Sequence, residues 1–126
     1  MKKVIKTDKA PSAVGPYSQG IKTDNMVFTS GQLPMIPETG KFVEGGIKEQ
    51  TRKSLENVEA VFKEAGLELS DAVKATVFLD DMDNFSEFNE VYKEFFPNNP
   101  PARSCVEAAN LPLNAKVEIE MIGIKN

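Results

Sequence analysis

Helical periodicity occurs in two separate stretches of this chain, and segments typical of β-strands lie before, between and after them. The first stretch repeats its apolar or small residues every three or four positions, at Ile47, Thr51, Leu55, Val58, Phe62 and Ala65. Gly66 follows as a natural helix end. The second stretch begins near Asn84, which has the spacing of a capping box with Glu87, and Pro97 ends it. Its apolar stripe comprises Phe85, Phe88, Tyr92, Phe95 and Phe96.

Six segments around these helices are rich in β-forming residues and are predicted as strands. They are 4–7, 17–22, 26–30, 73–79, 103–108 and 117–124. The order of three strands, helix, strand, helix and two strands predicts an α+β fold with both helices on one face of a sheet. At 126 residues, we expect one domain, 1–126. The strands carry too much Val, Ile and Phe for a fully wet second face, so we expect self-association.

Several classes of function are excluded by what the composition lacks. The chain has no histidine, one cysteine and a formal net charge of −4. Without histidine, Ser-His-Asp and Cys-His catalysis and all imidazole metal sites are impossible. The acidic balance argues against a broad surface for nucleic acid or anionic membrane. No segment has the length of a signal peptide's apolar region or a membrane span, so we expect a cytoplasmic protein without a membrane partner.

The segment Pro-Ala-Arg-Ser-Cys-Val-Glu at 101–107 carries two candidate groups. On a strand, Arg103 and Cys105 point to the same face. The arginine fork matches a carboxylate bidentately, although a surface ion pair is the more ordinary role. Cys105 has three interpretations: a small buried hydrophobe, a nucleophile whose pKa Arg103 helps to lower, or a supplier of a backbone carbonyl.

Strict alternation at 117–121 places Glu118 and Glu120 on one strand face. Such glutamates usually form the wet side of a strand. Partial burial would raise the pKa of a glutamate and make it a useful base or acid near neutral pH, and no histidine competes for this role. Weaker candidates for contacting a small ligand are Tyr17, Ser30, Gly31 and Asn89.

Several of these segments together resemble one family. They are Gly-Pro-Tyr-Ser-Gln-Gly at 15–20, Thr-Ser-Gly-Gln at 29–32, the helical segment 51–57, the segment 101–107 and Val-Glu-Ile-Glu at 117–120. The chain resembles the Rid family, also called YjgF or L-PSP, from end to end. The resemblance implies a chorismate-mutase-like α+β fold with two helices packed on a mixed sheet. It also implies a homotrimeric barrel with clefts between subunits.

The activity implied by the resemblance is hydrolysis of reactive 2-imino or enamine acids to 2-oxo acids and ammonia. Arg103 would hold the substrate carboxylate and Glu118 would activate water. Cys105 would add backbone and side-chain contacts. The remaining cleft positions match Tyr17, Ser30, Gly31 and Asn89, and no metal or cofactor is implied. Two alternatives stay open: an endoribonuclease or translation inhibitor, and a non-enzymatic module that binds small carboxylates or acts as a chaperone-like surface.

Overall fold

The computed structural model describes residues 1–126 and contains six strands and two main helices. The strands are β1 (Lys2–Ile5), β2 (Gly20–Thr23), β3 (Met26–Thr29), β4 (Ala72–Leu79), β5 (Ala102–Glu107) and β6 (Val117–Ile124), and the helices are α1 (Ile47–Glu64) and α2 (Phe85–Phe95). All strands join one sheet in the order β1-β2-β3-β6-β4-β5. Only the β4–β5 pair is parallel, so the sheet is mixed. The predicted order of elements is confirmed.

The first helix ends where its sequence predicts. Gly66 adopts φ +86°, a left-handed conformation that glycine reaches without steric cost. The N–H groups of Gly66 and Leu67 donate to the carbonyls of Lys63 and Phe62 at 3.0 and 2.9 Å. These two bonds form a Schellman motif and satisfy carbonyls that the end of α1 (Ile47–Glu64) would otherwise leave free.

Both helices cover the same face of the sheet, as predicted. The core is one cluster of 21 buried residues, to which α1, α2 and the inner face of the sheet contribute. Alternate residues of the central strands are buried beneath the helices: Ala75, Val77 and Leu79 on β4, and Val117, Ile119 and Met121 on β6. Full burial of one such Val, Leu, Ile or Met side chain contributes about 1.5–3 kcal/mol.

The opposite face of the sheet is not covered by any element of this chain. Cross-strand pairing places these apolar side chains on it: Val4, Ile21, Met26, Phe28, Phe78, Val106, Ile122 and Ile124. Glu118 and Glu120 lie on the same face, because their partners across the sheet are Phe78 and Thr76. We call this surface the open face.

Some predicted boundaries and one predicted cap were wrong. The first strand is Lys2–Ile5 rather than 4–7, and the second is Gly20–Thr23 rather than 17–22, so Tyr17 lies in a loop. The Asn84 side chain does not cap α2. A single 3-10 turn, Met82–Asn84, precedes the helix instead, and the Asp81 carboxylate accepts the N–H of Asp83 at 2.8 Å. Neither helix is both long and apolar enough to cross a membrane.

Candidate active site

Four of the predicted site residues line one cavity. Tyr17, Ser30, Gly31 and Glu118 surround an open space of about 570 Å³, which we call the Glu118 cavity. Its remaining lining includes the apolar side chains of Val14, Leu33, Met35, Pro112 and Leu113. A partly apolar cleft with a few converging polar groups is typical of a small-molecule site.

Gly31 lies directly against the Glu118 side chain. A Cβ atom built on Gly31 would approach the Glu118 carboxylate carbon to 2.8 Å, closer than real Cβ atoms come to other atoms. The neighbouring residue Gln32 forms an isolated antiparallel bridge with Ile119, which holds this turn beside β6. The absence of a side chain at position 31 therefore leaves room for the carboxylate at the cavity.

Burial raises the pKa of Glu118, and the charge of Glu120 on the same strand face raises it further. Glu118 forms neither an ion pair nor a side-chain hydrogen bond within the chain. A carboxyl group with a raised pKa and no partner exchanges protons more readily near neutral pH than an ordinary surface glutamate.

A buried glutamine holds the loop that carries Tyr17, although no motif or spacing in the sequence indicates this role. The Gln19 amide nitrogen donates to the carbonyls of Thr7, Ala10 and Pro11 at 2.9, 3.1 and 2.7 Å. Its amide oxygen accepts the N–H of Thr7 at 2.7 Å. The Gln19 backbone carbonyl also accepts the N–H of Ser30 at 2.9 Å. Position 19 thus ties two sides of the Glu118 cavity together.

The other three predicted site residues form a second group, next to α2. Arg103 of β5 donates from Nη1 to Oδ1 of Asn89 at 2.9 Å. Its guanidinium carbon lies 4.8 Å from the centre of the Tyr92 ring and 5.5 Å from those of Phe85 and Phe88. Arg103 has no carboxylate within ion-pair distance. An anion from outside the chain would therefore meet an uncompensated cation.

Cys105 follows Arg103 on the same side of β5, as predicted, and packs against the core. Burial raises the pKa of the Cys105 thiol, and the nearby Arg103 charge only partly opposes that effect. The thiol therefore remains protonated near neutral pH. This favours the interpretation as a small, partly buried side chain over the interpretation as a thiolate nucleophile.

The structure does not bring all seven predicted residues together within one chain. Arg103 and Cys105 pair across the sheet with Ala75 and Val77, whose side chains are buried beneath the helices. Glu118 lies on the open face. The sheet itself separates the two groups, which we call the Arg103 half-site (Asn89, Arg103, Cys105) and the Glu118 half-site (Tyr17, Ser30, Gly31, Glu118).

A larger groove, of about 700 Å³, is also lined in part by this N-terminal loop. Among the predicted residues it contains only Tyr17, and it lacks both Glu118 and Arg103. Its size alone does not supply acid–base or anion-binding chemistry. The smaller Glu118 cavity is therefore the better candidate site.

Replacing Gly31 with alanine tests the packing beside Glu118. The new methyl group meets the mobile end of a side chain rather than backbone, so we expect the fold to remain and Glu118 to turn aside. Displacement of the acid–base group should lower kcat/KM for any reaction that uses it by about tenfold or more. The measurement is kcat/KM, with the free energy of unfolding from urea titration.

The matched control for this substitution is Gly46→Ala. A Cβ on Gly46 meets nothing within 4 Å, and Gly46, which precedes α1, does not line the Glu118 cavity. Its kcat/KM should stay at the wild-type value. Unchanged kcat/KM in Gly31→Ala would show that the position of the Glu118 carboxylate does not matter.

The mixed six-stranded sheet with two helices on one face defines a chain of the YjgF type. The family described as Endoribonuclease L-PSP matches residues 7–125. The chain belongs to this family, the Rid family, and relatives in it carry the name reactive intermediate deaminase. The predicted family membership and fold are confirmed.

Similarity to individual relatives covers nearly the whole chain. The chloroplastic Reactive Intermediate Deaminase A of Arabidopsis thaliana is 50% identical over 96% of this chain and 65% of its own length. The crystal structure of the Escherichia coli YjgF gene product has a TM-score of 0.95 and 45% identity, covering 98% of this chain and 99% of that one. The structure of E. coli TdcF with bound serine has a TM-score of 0.95 and 47% identity, covering 98% of this chain and 99% of TdcF.

Proposed function

We propose that this protein hydrolyses 2-imino acids, including 2-iminobutanoate and 2-iminopropanoate, to 2-oxo acids and ammonia. The observation that carries the proposal is the pair of unpartnered charges: the Arg103 guanidinium and the Glu118 carboxyl each lack an ion-pair partner. A 2-imino acid has a carboxylate that Arg103 can bind. The carbon next to it, C2, is electrophilic and can be attacked by a water molecule that Glu118 activates. The bound serine of TdcF, an amino acid of similar size, supports a site for small amino-acid-like ligands.

The reaction needs little beyond orientation and proton transfer. Arg103 holds the carboxylate, and the Glu118 carboxylate removes a proton from a water molecule that attacks C2 of the imine. The water oxygen forms a bond to C2, and the C=N double bond becomes a single bond in a carbinolamine. Glu118 returns that proton to nitrogen, which completes the neutral carbinolamine. The hydroxyl proton then passes through Glu118 to the amine nitrogen, the C–N bond breaks, and ammonia leaves as the C2 carbonyl forms. Enamine substrates first become imines by tautomerisation.

Because the sheet separates the two half-sites, we further propose that each complete site forms between two subunits of a homotrimer. The apolar open face supports association, since large exposed apolar patches on soluble proteins are interaction surfaces. In a cyclic trimer, the open face of one subunit meets the β5 edge of the next. Each cleft then combines Glu118 from one chain with Arg103 from its neighbour.

Mixed trimers of two variants test this arrangement and the activity together. Trimers of Arg103→Ala alone, or of Glu118→Gln alone, should have only a few per cent of the wild-type activity or less. The two variants are then refolded together in equal amounts. A site between two subunits is intact when the Arg103→Ala subunit supplies Glu118 and the Glu118→Gln subunit supplies Arg103. If the subunits assort at random in a closed ring, about one site in four is intact, so we expect about one quarter of the wild-type activity. A dehydratase that releases the imine supplies substrate, and a scavenger that traps free imine makes enzymatic hydrolysis measurable.

Three results would contradict the proposal. No recovered activity in mixtures that native mass spectrometry shows to contain mixed trimers would mean that both half-sites act within one chain. An active wild-type monomer in sedimentation equilibrium would exclude the shared cleft. Absence of hydrolysis by the wild-type protein would remove the proposed activity altogether.

Replacing Cys105 with alanine should leave activity measurable, within about tenfold of wild type. The reason is that the thiol stays protonated near neutral pH, and water is the only nucleophile that the reaction needs. The loss of one small packed side chain accounts for the remaining change. Steady-state hydrolysis by Cys105→Ala is the measurement. A covalent substrate adduct on Cys105, detected by mass spectrometry, would show that the thiol reacts.

The family description names an endoribonuclease, but the site favours the imine reaction. The Glu118 cavity is sized for a small molecule, and the chain has a net charge of −4 and no histidine. RNA binding draws mainly on positive charge for phosphates and on aromatic platforms for bases. The three aromatic rings nearest Arg103 contact its guanidinium.

A further inference from the structure

One face of α2 forms a three-ring platform beneath Arg103. Phe85, Phe88 and Tyr92 recur at the three- and four-residue spacing that places side chains on one helix face. The Arg103 guanidinium lies 4.8–5.5 Å from all three ring centres. Asn89, on the same helix face, accepts the single side-chain hydrogen bond that Arg103 makes.

The acidic residues of α2 do not compensate this charge. Glu90 pairs with Lys48 of α1 at 2.8 Å, and Glu94 pairs with Arg52 of α1 at 3.1 Å. Both pairs lie on exposed surface between the helices. The third acidic residue of α2, Glu87, forms no ion pair with Arg103 or any other residue of the chain. The helix therefore pairs two of its three carboxylates with α1 and directs its aromatic rings toward Arg103.

The aromatic rings hold the Arg103 guanidinium in place without neutralising its charge. Aromatic faces attract the cation and fix the plane of its fork, but they occupy none of its five N–H donors in the way a carboxylate does. One donor bonds to Asn89, so the others stay available in a fixed orientation. A carboxylate partner from the protein itself would instead compete with a bound ligand for the same donors.

We propose that Phe85, Phe88 and Tyr92 are positioning residues that orient Arg103, with its charge uncompensated, toward one ligand carboxylate. This inference rests on the proposed function in that the carboxylate is the one carried by the 2-imino acid and by its 2-oxo acid product. The rings act through Arg103 and do not themselves react.

Calorimetric binding of 2-oxobutanoate tests the proposal independently of catalysis. Phe85→Leu removes one ring at a partly exposed position, and we expect 2-oxobutanoate to bind about 3- to 30-fold more weakly. Phe85→Tyr restores a ring and should bind within about twofold of wild type.

A spectroscopic measurement separates positioning from a merely structural role. The chain contains two arginines, Arg52 and Arg103, so selective labelling with ¹⁵N-arginine gives two side-chain Nε–Hε signals. Ring contacts shift the Arg103 signal, and Phe85→Leu should move it toward the position expected for free arginine. The Arg52 signal, from a side chain paired with Glu94 on the surface, should stay in place.

The outcomes distinguish this inference from the proposed function. Weaker binding and a displaced Arg103 signal in Phe85→Leu, with rescue by Phe85→Tyr, support the inference even if the protein hydrolyses no imine. Wild-type affinity in Phe85→Leu would overturn it. So would an unmoved Arg103 signal, or failure of the wild-type protein to bind 2-oxobutanoate.

Discussion

Replacing Arg103 with alanine should lower kcat/KM for imine hydrolysis by roughly 30- to 5,000-fold while the protein stays folded. Removing one partner of a desolvated, hydrogen-bonded charge pair costs about 2–5 kcal/mol, and each 1.4 kcal/mol is about a tenfold change in rate. The ion pair between Arg103 and the substrate carboxylate forms only on binding, because no carboxylate of the chain pairs with the Arg103 guanidinium. Scavenger-coupled rates on the purified variant give the measurement.

Arg52→Ala is the matched control. It removes the other arginine of the chain, whose exposed pair with Glu94 contributes at most about 1 kcal/mol to stability. Its kcat/KM should equal the wild-type value. If Arg103→Ala hydrolyses imines at the wild-type rate, a different group holds the carboxylate.

Replacing Glu118 with glutamine should lower the rate of imine hydrolysis by about 10²–10⁴-fold, the usual contribution of a positioned acid–base group. Glutamine keeps the shape beside Gly31 but neither accepts nor returns a proton. Binding of 2-oxobutanoate should change far less, because Arg103 still holds its carboxylate. Rates and calorimetric affinities measured on the same preparations separate the two effects.

The control for Glu118 is its neighbour on the open face. Glu120→Gln should keep the rate at high pH and shift the pH profile. The base works as a carboxylate, so the rate rises with pH through the raised pKa of Glu118. Removing the Glu120 charge lowers that pKa, so the midpoint moves to lower pH. A large loss at every pH in Glu120→Gln, with none in Glu118→Gln, would mean that Glu120 is the base.

The sequence predicted the elements with a long, regular period most accurately. Both helices lie where their apolar stripes predict, and β6 has its predicted bounds because 117–124 alternates. The same alternation correctly placed Glu118 and Glu120 on one face. These patterns are local, since each depends on residues close together in the chain.

The parts that were missed depend on distant contacts. The segment 17–22 has the composition of a strand, yet Tyr17 lies in a loop whose shape is set by the Gln19 side chain reaching back twelve positions to Thr7. Nothing in the spacing of that segment indicates this bond. Likewise, alternation shows that Arg103 and Cys105 share a face. Whether that face lies beneath the helices is decided by pairing with β4.

Because one side-chain amide group holds the Tyr17 loop, we expect this loop to open locally and its amide hydrogens to exchange with solvent. The side-chain bonds of Gln19 to residues 7–11 end on a single side chain, so rotating that side chain breaks them together. We expect the amide hydrogen of Thr7 to exchange with solvent through a local opening of small free energy. Amides of β4 and β6 should exchange only when the sheet unfolds. On this basis Tyr17 belongs to a local unit that opens and closes independently of the strand carrying Arg103.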